Sequence, residues 1–311
     1  MREDIRDLGF GSRVTEKSRQ RLLNRDGSFN VVRKKLPFLG ALSPYHYLLT
    51  ISWVRFNLLV LCAYLVFNLV FAFAYYAAGR GALSGVEAVT EQSQFMEDFF
   101  FSVQTSTTIG YGRIAPLGTT ANILASVEAL FGLLGFALAT SLMFARFSRP
   151  EAKIMYSNRA LVAPYRGMNG VMFRLANQRN SQLIHVGVTV LLSRMEDGPA
   201  GRVRRFVPLG LEREEVVFFP LTWTVVHPID EASPFRGLTR EQFRASDPEL
   251  LILLTATDET SGQIIHSRTS YIADEFVWGA KFSDVFDQSA GGTIAVDLHR
   301  IHGYDRVPLT P

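Results

Sequence analysis

Apolar and polar positions follow three different rhythms along this chain. Between Arg55 and Arg80 runs FNLLVLCAYLVFNLVFAFAYYAAG, with no charged residue, and a helix needs roughly 20 apolar residues to cross a bilayer core. From Ile114 to Ala145 a second apolar run holds a single charge, Glu128, and small residues (Gly132, Gly135, Ala137, Ala139) that suit close helix packing. The pattern predicts spans over about 54–78 and 119–147. Between them FMEDFFFSVQTS, residues 95–106, is apolar and helix-like but covers only about half a membrane, the length of a re-entrant helix. From Ile154 onward the period drops to two. HVGVTVLL puts Val186, Val188, Val190 and Leu192 on one face, and LTWTVVHPID, ELLILLTATD and QIIHSRTSYIAD read the same way. Short β-rich runs broken by Pro, Gly and Asp predict an all-β sandwich within 148–311, with one short helix at REQFRAS.

The flanks add orientation. Residues 1–35 are charged and contain no apolar signal core, and 1–42 reads as a mobile N-terminal arm whose basic residues face either solvent or lipid headgroups. LSPYHYLLTISW follows. Pro44 suits a first helical turn, and Tyr45, Tyr47 and Trp53 suit the membrane interface, so 43–52 is predicted to be a short helix lying on the bilayer surface. Residues 1–55 carry eleven Lys and Arg, whereas the loop 79–118 carries two, Arg80 and Arg113. That asymmetry predicts that both termini are cytoplasmic. Composition agrees with a membrane protein carrying a soluble part: 48% of residues are hydrophobic and 20% charged. A net charge of +3 gives no reason to expect nucleic acid as a partner. Cys62 is the only cysteine, which excludes an intramolecular disulfide framework and a cysteine-based zinc site. No HExxH, GxSxG or Walker pattern points to an enzyme.

The chemistry concentrates in TSTTIGYGRI, residues 105–114, between the half-span helix and the second apolar run. Irregular backbone at membrane depth survives only where protein buries it or where it lines a water-filled path. Gly110 and Gly112 permit the backbone angles by which Thr108, Ile109, Gly110 and Tyr111 would present a row of carbonyls. Four such rows around an axis would replace the water shell of a dehydrated cation, an arrangement known from channel filters. One chain with two spans encloses no path, so a fourfold homo-oligomer is implied. Glu128, a carboxylate at membrane depth, is either a functional group near the path or a structural partner for the loop. Gly132, Phe136, Thr140 and Phe144 recur every four residues and share one helix face.

TTIGYG resembles the potassium-channel signature, and FRLANQRNSQL (173–183), TWTVVHPIDEASPF (222–235) and RTSYIADEFVWGAKF (268–282) resemble the cytoplasmic domain of inward-rectifier potassium channels. FSVQTSTTIGYGRIAP and ARFSRP are similar to the prokaryotic KirBac branch. The resemblance runs over roughly 25–300 and implies a homotetramer with a two-helix pore module, an immunoglobulin-like cytoplasmic sandwich and, as home, a bacterial inner membrane. Potassium is then the transported ion, with no organic cofactor. The surface helix becomes a slide helix; the face of Gly132, Phe136 and Thr140 lines a cavity that Phe144 closes as a hydrophobic gate. Arg146, Arg149 and Lys153 become candidates for anionic lipid. Asp258 and Glu259, in DETSGQIIH (258–266), fall where the family narrows its cytoplasmic pore. Strong rectifiers carry acids at two positions that attract magnesium or polyamine blockers. Here these match Phe136 and His185, which implies weak rectification and a pore wall that gains positive charge on acidification.

Overall fold

The computed structural model describes residues 21–30, 44–87, 90–148, 152–179, 181–198, 201–219, 221–287 and 295–311. The chain divides into two compact units, one formed by 35–149 and the other by 1–34 together with 150–311.

The first unit is helical. Helix α1 (Pro44–Thr50) buries none of its residues. Helix α2 (Trp53–Ala78) starts where the Ser52 hydroxyl accepts the Arg55 N–H, and it buries only Phe56, Asn68, Ala72 and Tyr75. Helix α3 spans Glu91–Ser106, starting four residues earlier than the apolar run at 95–106 suggests. Capping decides the difference: the Thr90 hydroxyl accepts the Ser93 N–H while the Ser93 side chain reaches back to Thr90 N, so the polar residues 91–94 are drawn into the first turn. At 1.5 Å per residue α3 is still only about 24 Å long, short of a bilayer core. Helix α4 (Gly118–Phe147) buries only Ala121 and Glu128. Among the described residues, helices α2 and α4 are the two long enough and apolar enough to cross a membrane. Their Leu, Val and Phe side chains are largely exposed in the single chain, a surface that needs lipid or further copies to cover it. A two-residue ladder, β1 (Leu83–Ser84) with β2 (Ala115–Pro116), ties the α2–α3 connection to the α3–α4 connection.

The second unit is a sandwich of two five-stranded sheets. In one, the order is β11 (Ile264–Ile272), β10 (Glu249–Asp258), β6 (Leu183–Gly198), β7 (Gly201–Pro208), with β8 (Glu215–Phe219) also on β6. In the other it is β12 (Phe276–Trp278), β4 (Ala160–Tyr165), β5 (Met168–Asn177), β3 (Ile154–Tyr156), with β9 (Thr222–Pro228) also on β5. All pairs within these sheets are antiparallel except β12 with β4. Alternation drives the packing. Val186, Val188, Val190 and Leu192 of β6 turn inward, together with Leu250, Ile252 and Leu254 of β10 and Val171, Phe173 and Leu175 of β5, into one core. The short helix α5 (Arg240–Ala245) closes that core with Phe243.

Part of the N-terminal arm is not free. Residues 21–30 are docked on the sandwich, with Leu22 and Leu23 buried against Phe206 and Leu251. The Glu249 carboxylate accepts the N–H groups of Leu22 (2.8 Å) and Leu23 (3.0 Å), so it meets two backbone donors with one side chain. Arg21 reaches Glu275 at 3.2 Å, and the Arg25 guanidinium lies 5.3 Å from the centre of the Tyr271 ring. Gly27 has φ +82°, and a Cβ there would lie 2.8 Å from the Arg268 carbonyl oxygen, so the tight turn at the strap's tip requires glycine. Two carboxylates and one close approach thus convert a polar-looking tail into packed structure. The rest of the arm, 1–20 and 31–42, lies outside the described residues.

Candidate functional site: the loop behind the half-span helix

The last turn of α3 runs directly into the loop. Thr107 stays right-handed, its N–H and hydroxyl both donating to the Val103 carbonyl, at 3.1 and 2.6 Å. Then the backbone alternates. Thr108 (φ +59°), Gly110 (φ +57°) and Gly112 (φ +80°) are left-handed, while Ile109 and Tyr111 between them are not. Left-handed residues at every second position turn successive carbonyls toward one side. A β-branched residue at φ +59° is an outlier that the surroundings must hold in place. The Ile109 and Gly110 N–H groups both point back to the Gln104 carbonyl, at 2.9 and 3.4 Å, so the loop hangs from the end of α3. Among the described residues nothing donates a hydrogen bond to the carbonyl oxygens of Thr108, Ile109, Gly110 or Tyr111. The Ile109 and Tyr111 side chains are exposed in the single chain. At the far end the backbone of Arg113 packs on Gly85, where a Cβ would stand 1.9 Å from the Arg113 carbonyl oxygen, and the short ladder holds Ala115 and Pro116 just beyond.

A chain of buried polar groups backs this loop. Tyr75 of α2 donates to Glu128 Oε2 at 2.7 Å, and the Ser102 hydroxyl of α3 sits between Glu128 Oε1 and Asn68 Oδ1, the latter 3.1 Å away. Asn68 Oδ1 also accepts the Ser106 hydroxyl at 2.8 Å. Glu128 therefore joins α2, α3 and α4 behind the loop, with both carboxyl oxygens taken by side chains of α2 and α3. Gly132, one turn further along α4, shares that face: a Cβ there would come 2.6 Å from the Ser106 carbonyl oxygen. That close approach to the end of α3 is a contact that its shared spacing with Phe136, Thr140 and Phe144 did not indicate. Those three are exposed in the single chain, Phe136 at 73% and Phe144 at 71%, as one open stripe beyond the contact with α3. Asn68, Tyr75, Ser102, Ser106 and Gly85 were not singled out from the sequence. One signal was available: Gln94, Asp98, Ser102 and Ser106 form a polar stripe every four residues, and all four are buried.

Arg146, at the end of α4, is tied up by protein groups. Its Nη1 donates to the Leu48 carbonyl and its Nη2 to the Ile51 carbonyl at 2.6 Å, two groups left open at the end of α1. The guanidinium carbon lies 4.6 Å from the Trp53 ring centre and 4.7 Å from that of Phe56, and Phe147 packs on Trp53 at 4.7 Å. Of the other two candidates for lipid contact, Arg149 lies outside the described residues and Lys153 is exposed.

The sandwich positions are scattered. His185 (φ +50°) is exposed, with Nδ1 2.9 Å from a carboxylate oxygen of Glu215. Glu215, itself exposed, is thus the carboxylate that faces this imidazole. Asp258 is buried and turned into its own loop, where its carboxylate accepts the N–H and hydroxyl of Ser261 at 2.9 and 3.2 Å. The Ser261 N–H holds that carboxyl below the usual aspartate range. Glu259 beside it is exposed. No group of three or more His, Cys, Asp and Glu capable of holding a metal occurs among the described residues.

Two family descriptions match this arrangement unit by unit. Residues 59–149 match the ion channel family, and 154–311 match the inward rectifier potassium channel C-terminal domain. The chain belongs to the inward-rectifier potassium channel family. It is similar to the inward rectifier potassium channel Kirbac3.1 of Paramagnetospirillum magnetotacticum, 44% identical over 284 residues that cover 91% of this chain and 95% of that protein. It is also similar to the human G protein-activated inward rectifier potassium channel 3, at 29% identity, covering 94% of this chain and 79% of that one. The corresponding channel 4 of Mus musculus is 30% identical, with 92% and 73% covered.

The Arg146 clasp makes a testable demand. Lysine keeps the charge but not the planar fork that reaches two carbonyls and stacks on two rings. Arg146→Lys should cost about 2 kcal/mol and lower the thermal unfolding midpoint of the purified protein by several degrees. An unchanged midpoint would mean that the clasp adds nothing beyond a positive charge.

Proposed function

We propose that four copies of this chain form a potassium-selective channel in which Thr108 to Gly112 is the selectivity filter. The observation that carries this reading is the alternation of left-handed residues at 108, 110 and 112 together with four carbonyls that no group among the described residues satisfies. At membrane depth such oxygens are expensive unless they meet a cation. Four copies supply rings of carbonyl oxygen from Thr108, Ile109, Gly110 and Tyr111, replacing the ion's water shell, and a fourfold axis closes the path that one chain leaves open. Potassium is the cargo, and no organic cofactor enters the reading. The membership of the inward-rectifier family supports it from the side of the sequence.

In the tetramer the exposed stripe of Phe136, Thr140 and Phe144 faces the axis, and four copies of Phe144 form a constriction that empties of water when closed. Helix α1 lies in the membrane interface, with Tyr45, Tyr47 and Trp53 at headgroup level, and acts as the slide helix. Its coupling to the gate runs through Arg146, which leaves Arg149 and Lys153 as the cations for anionic lipid. Both termini and the β-sandwich are cytoplasmic, in a bacterial inner membrane, and the sandwich modulates the gate. Rectification by magnesium or polyamines is weak, because Phe136 and His185 stand at the two positions where strong rectifiers carry acids.

Uptake of rubidium into liposomes holding the purified protein and internal potassium tests the channel directly. Gly110→Ala forces a Cβ into a left-handed position at a cost of about 1–2 kcal/mol per subunit, and should cut potassium-over-sodium discrimination, or uptake itself, by about tenfold or more. A correctly assembled Gly110→Ala tetramer with wild-type selectivity would remove the filter assignment. In the same assay Phe144→Ala should raise basal uptake and leave selectivity intact; equal basal uptake would show that Phe144 does not seal the path. Under voltage clamp, internal spermine should block the wild type only shallowly, and His185→Glu should deepen the block. Steep spermine block of the wild type would refute the assignment of uncharged pore walls.

A further inference from the structure

Asn68 stands in the middle of α2, fully buried, at a point where an aliphatic side chain would meet the demands of packing alone. Burying an amide is costly unless its donors and acceptors are met. Here they are met in one orientation only. Nδ2 donates to the Tyr64 carbonyl at 2.7 Å, which fixes Oδ1 on the opposite side, facing the hydroxyls of Ser102 (3.1 Å) and Ser106 (2.8 Å). Reversing the amide would set its oxygen against the Tyr64 carbonyl and lose that bond.

The two serines are not equivalent. Ser102 continues the chain to Glu128 and so to α4, whereas Ser106 is the last residue of α3. Thr108, where the backbone first turns left-handed, is two residues on. Ser106 is held from two directions at once: its hydroxyl by Asn68, and its main chain by Gly132, where an added Cβ would stand 2.6 Å from the Ser106 carbonyl oxygen and 2.9 Å from its Cα. The next anchor is Gln104 in the same helical turn, whose carbonyl takes the Ile109 and Gly110 N–H groups. The position of the carbonyl row therefore follows the position of this last turn, and Asn68 is the only side chain of α2 that bonds to it. Ala72, one turn beyond Asn68 on the same buried face, is small enough to let α3 come near.

We propose that Asn68 is a positioning residue for ion selectivity. Acting through Ser106, it sets the depth and rotation of the end of α3, and with it the spacing of the Thr108–Tyr111 carbonyls. The inference rests on the reading of those residues as the ion path. A single buried polar residue that fixes helix register is an established physical device; here the register it fixes carries the filter.

The test uses full-length tetramer in liposomes, with rubidium uptake measured against competing sodium, for the wild type, Asn68→Ala, Ser106→Ala and the double variant. Each single change should lower rubidium-over-sodium discrimination by about fivefold or more, the factor that one lost hydrogen bond represents. The double variant should fall no further than the worse single one, because both remove the same contact. A merely structural role would lower yield or thermal midpoint and reduce both ion fluxes together, leaving their ratio in place. Wild-type discrimination in an assembled Asn68→Ala tetramer, or losses that multiply in the double variant, would overturn the proposal. Should Asn68→Ala fail to assemble, Ser106→Ala decides it alone: unchanged discrimination there refutes it, and a fall of the stated size with intact assembly supports it. A wild type without selective uptake would instead remove the ion-path reading itself, and this inference with it.

Discussion

A carbonyl oxygen at membrane depth costs several kcal/mol unless something pairs with it, and residues 108–111 carry four of them without a partner among the described residues. Much of the helical unit can be understood as the apparatus that keeps this unfavourable strand extended. Left to itself, the segment after Thr107 would continue as helix and satisfy its carbonyls internally. It is prevented by left-handed turns at 108, 110 and 112, of which two fall on glycine and one, at Thr108, is held under strain. The strand is anchored at its start by the Gln104 carbonyl and at its end by the β1–β2 ladder and the close approach of Gly85 to Arg113.

Polar groups inside the helical unit serve the same end. In lipid the hydrophobic effect does not press one helix against another, so association relies on close packing and hydrogen bonds. The Tyr75–Glu128–Ser102–Asn68–Ser106 chain supplies the bonds, and Gly132 and Ala72 supply the closeness. At the opposite end of α4, Arg146 does comparable work with different chemistry, using a guanidinium to gather the open carbonyls of α1 and two aromatic faces. Helix α4 is thus gripped near its middle and at its C-terminal end, and the stripe between, Phe136 to Phe144, is left exposed.

The β-sandwich obeys a different rule, since water surrounds it and burial of apolar area dominates its stability. Its alternating Val and Leu positions suffice to explain the core. The strap at 21–30 adds polar attachment to its two buried leucines, with Glu249 accepting backbone N–H groups and Glu275 pairing with Arg21.

Periodicity and length by themselves determined the two spans, the half-span helix between them and the inward faces of β6 and β10, because each of these depends on residues near one another in the chain. The TxGYG segment was legible for the same reason: its glycines lie beside the carbonyls they free. What only tertiary structure decided was where the lone polar and charged side chains go. Glu128 read first as a group near the path and second as a structural partner, and its contacts with Tyr75, 53 residues away, and Ser102, 26 residues away, put it among the helices. Gly132 shares a spacing with Phe136 and Phe144, yet it meets the backbone of Ser106, because a helix face crosses from one neighbour to open space along its length. Arg146, Asp258 and His185 looked available to lipid, ions or solvent until the carbonyls of Leu48 and Ile51, the Ser261 N–H and the Glu215 carboxylate came within bonding distance. Composition sets a side chain's charge, but which partner takes that charge depends on distances that arise only when the chain has folded.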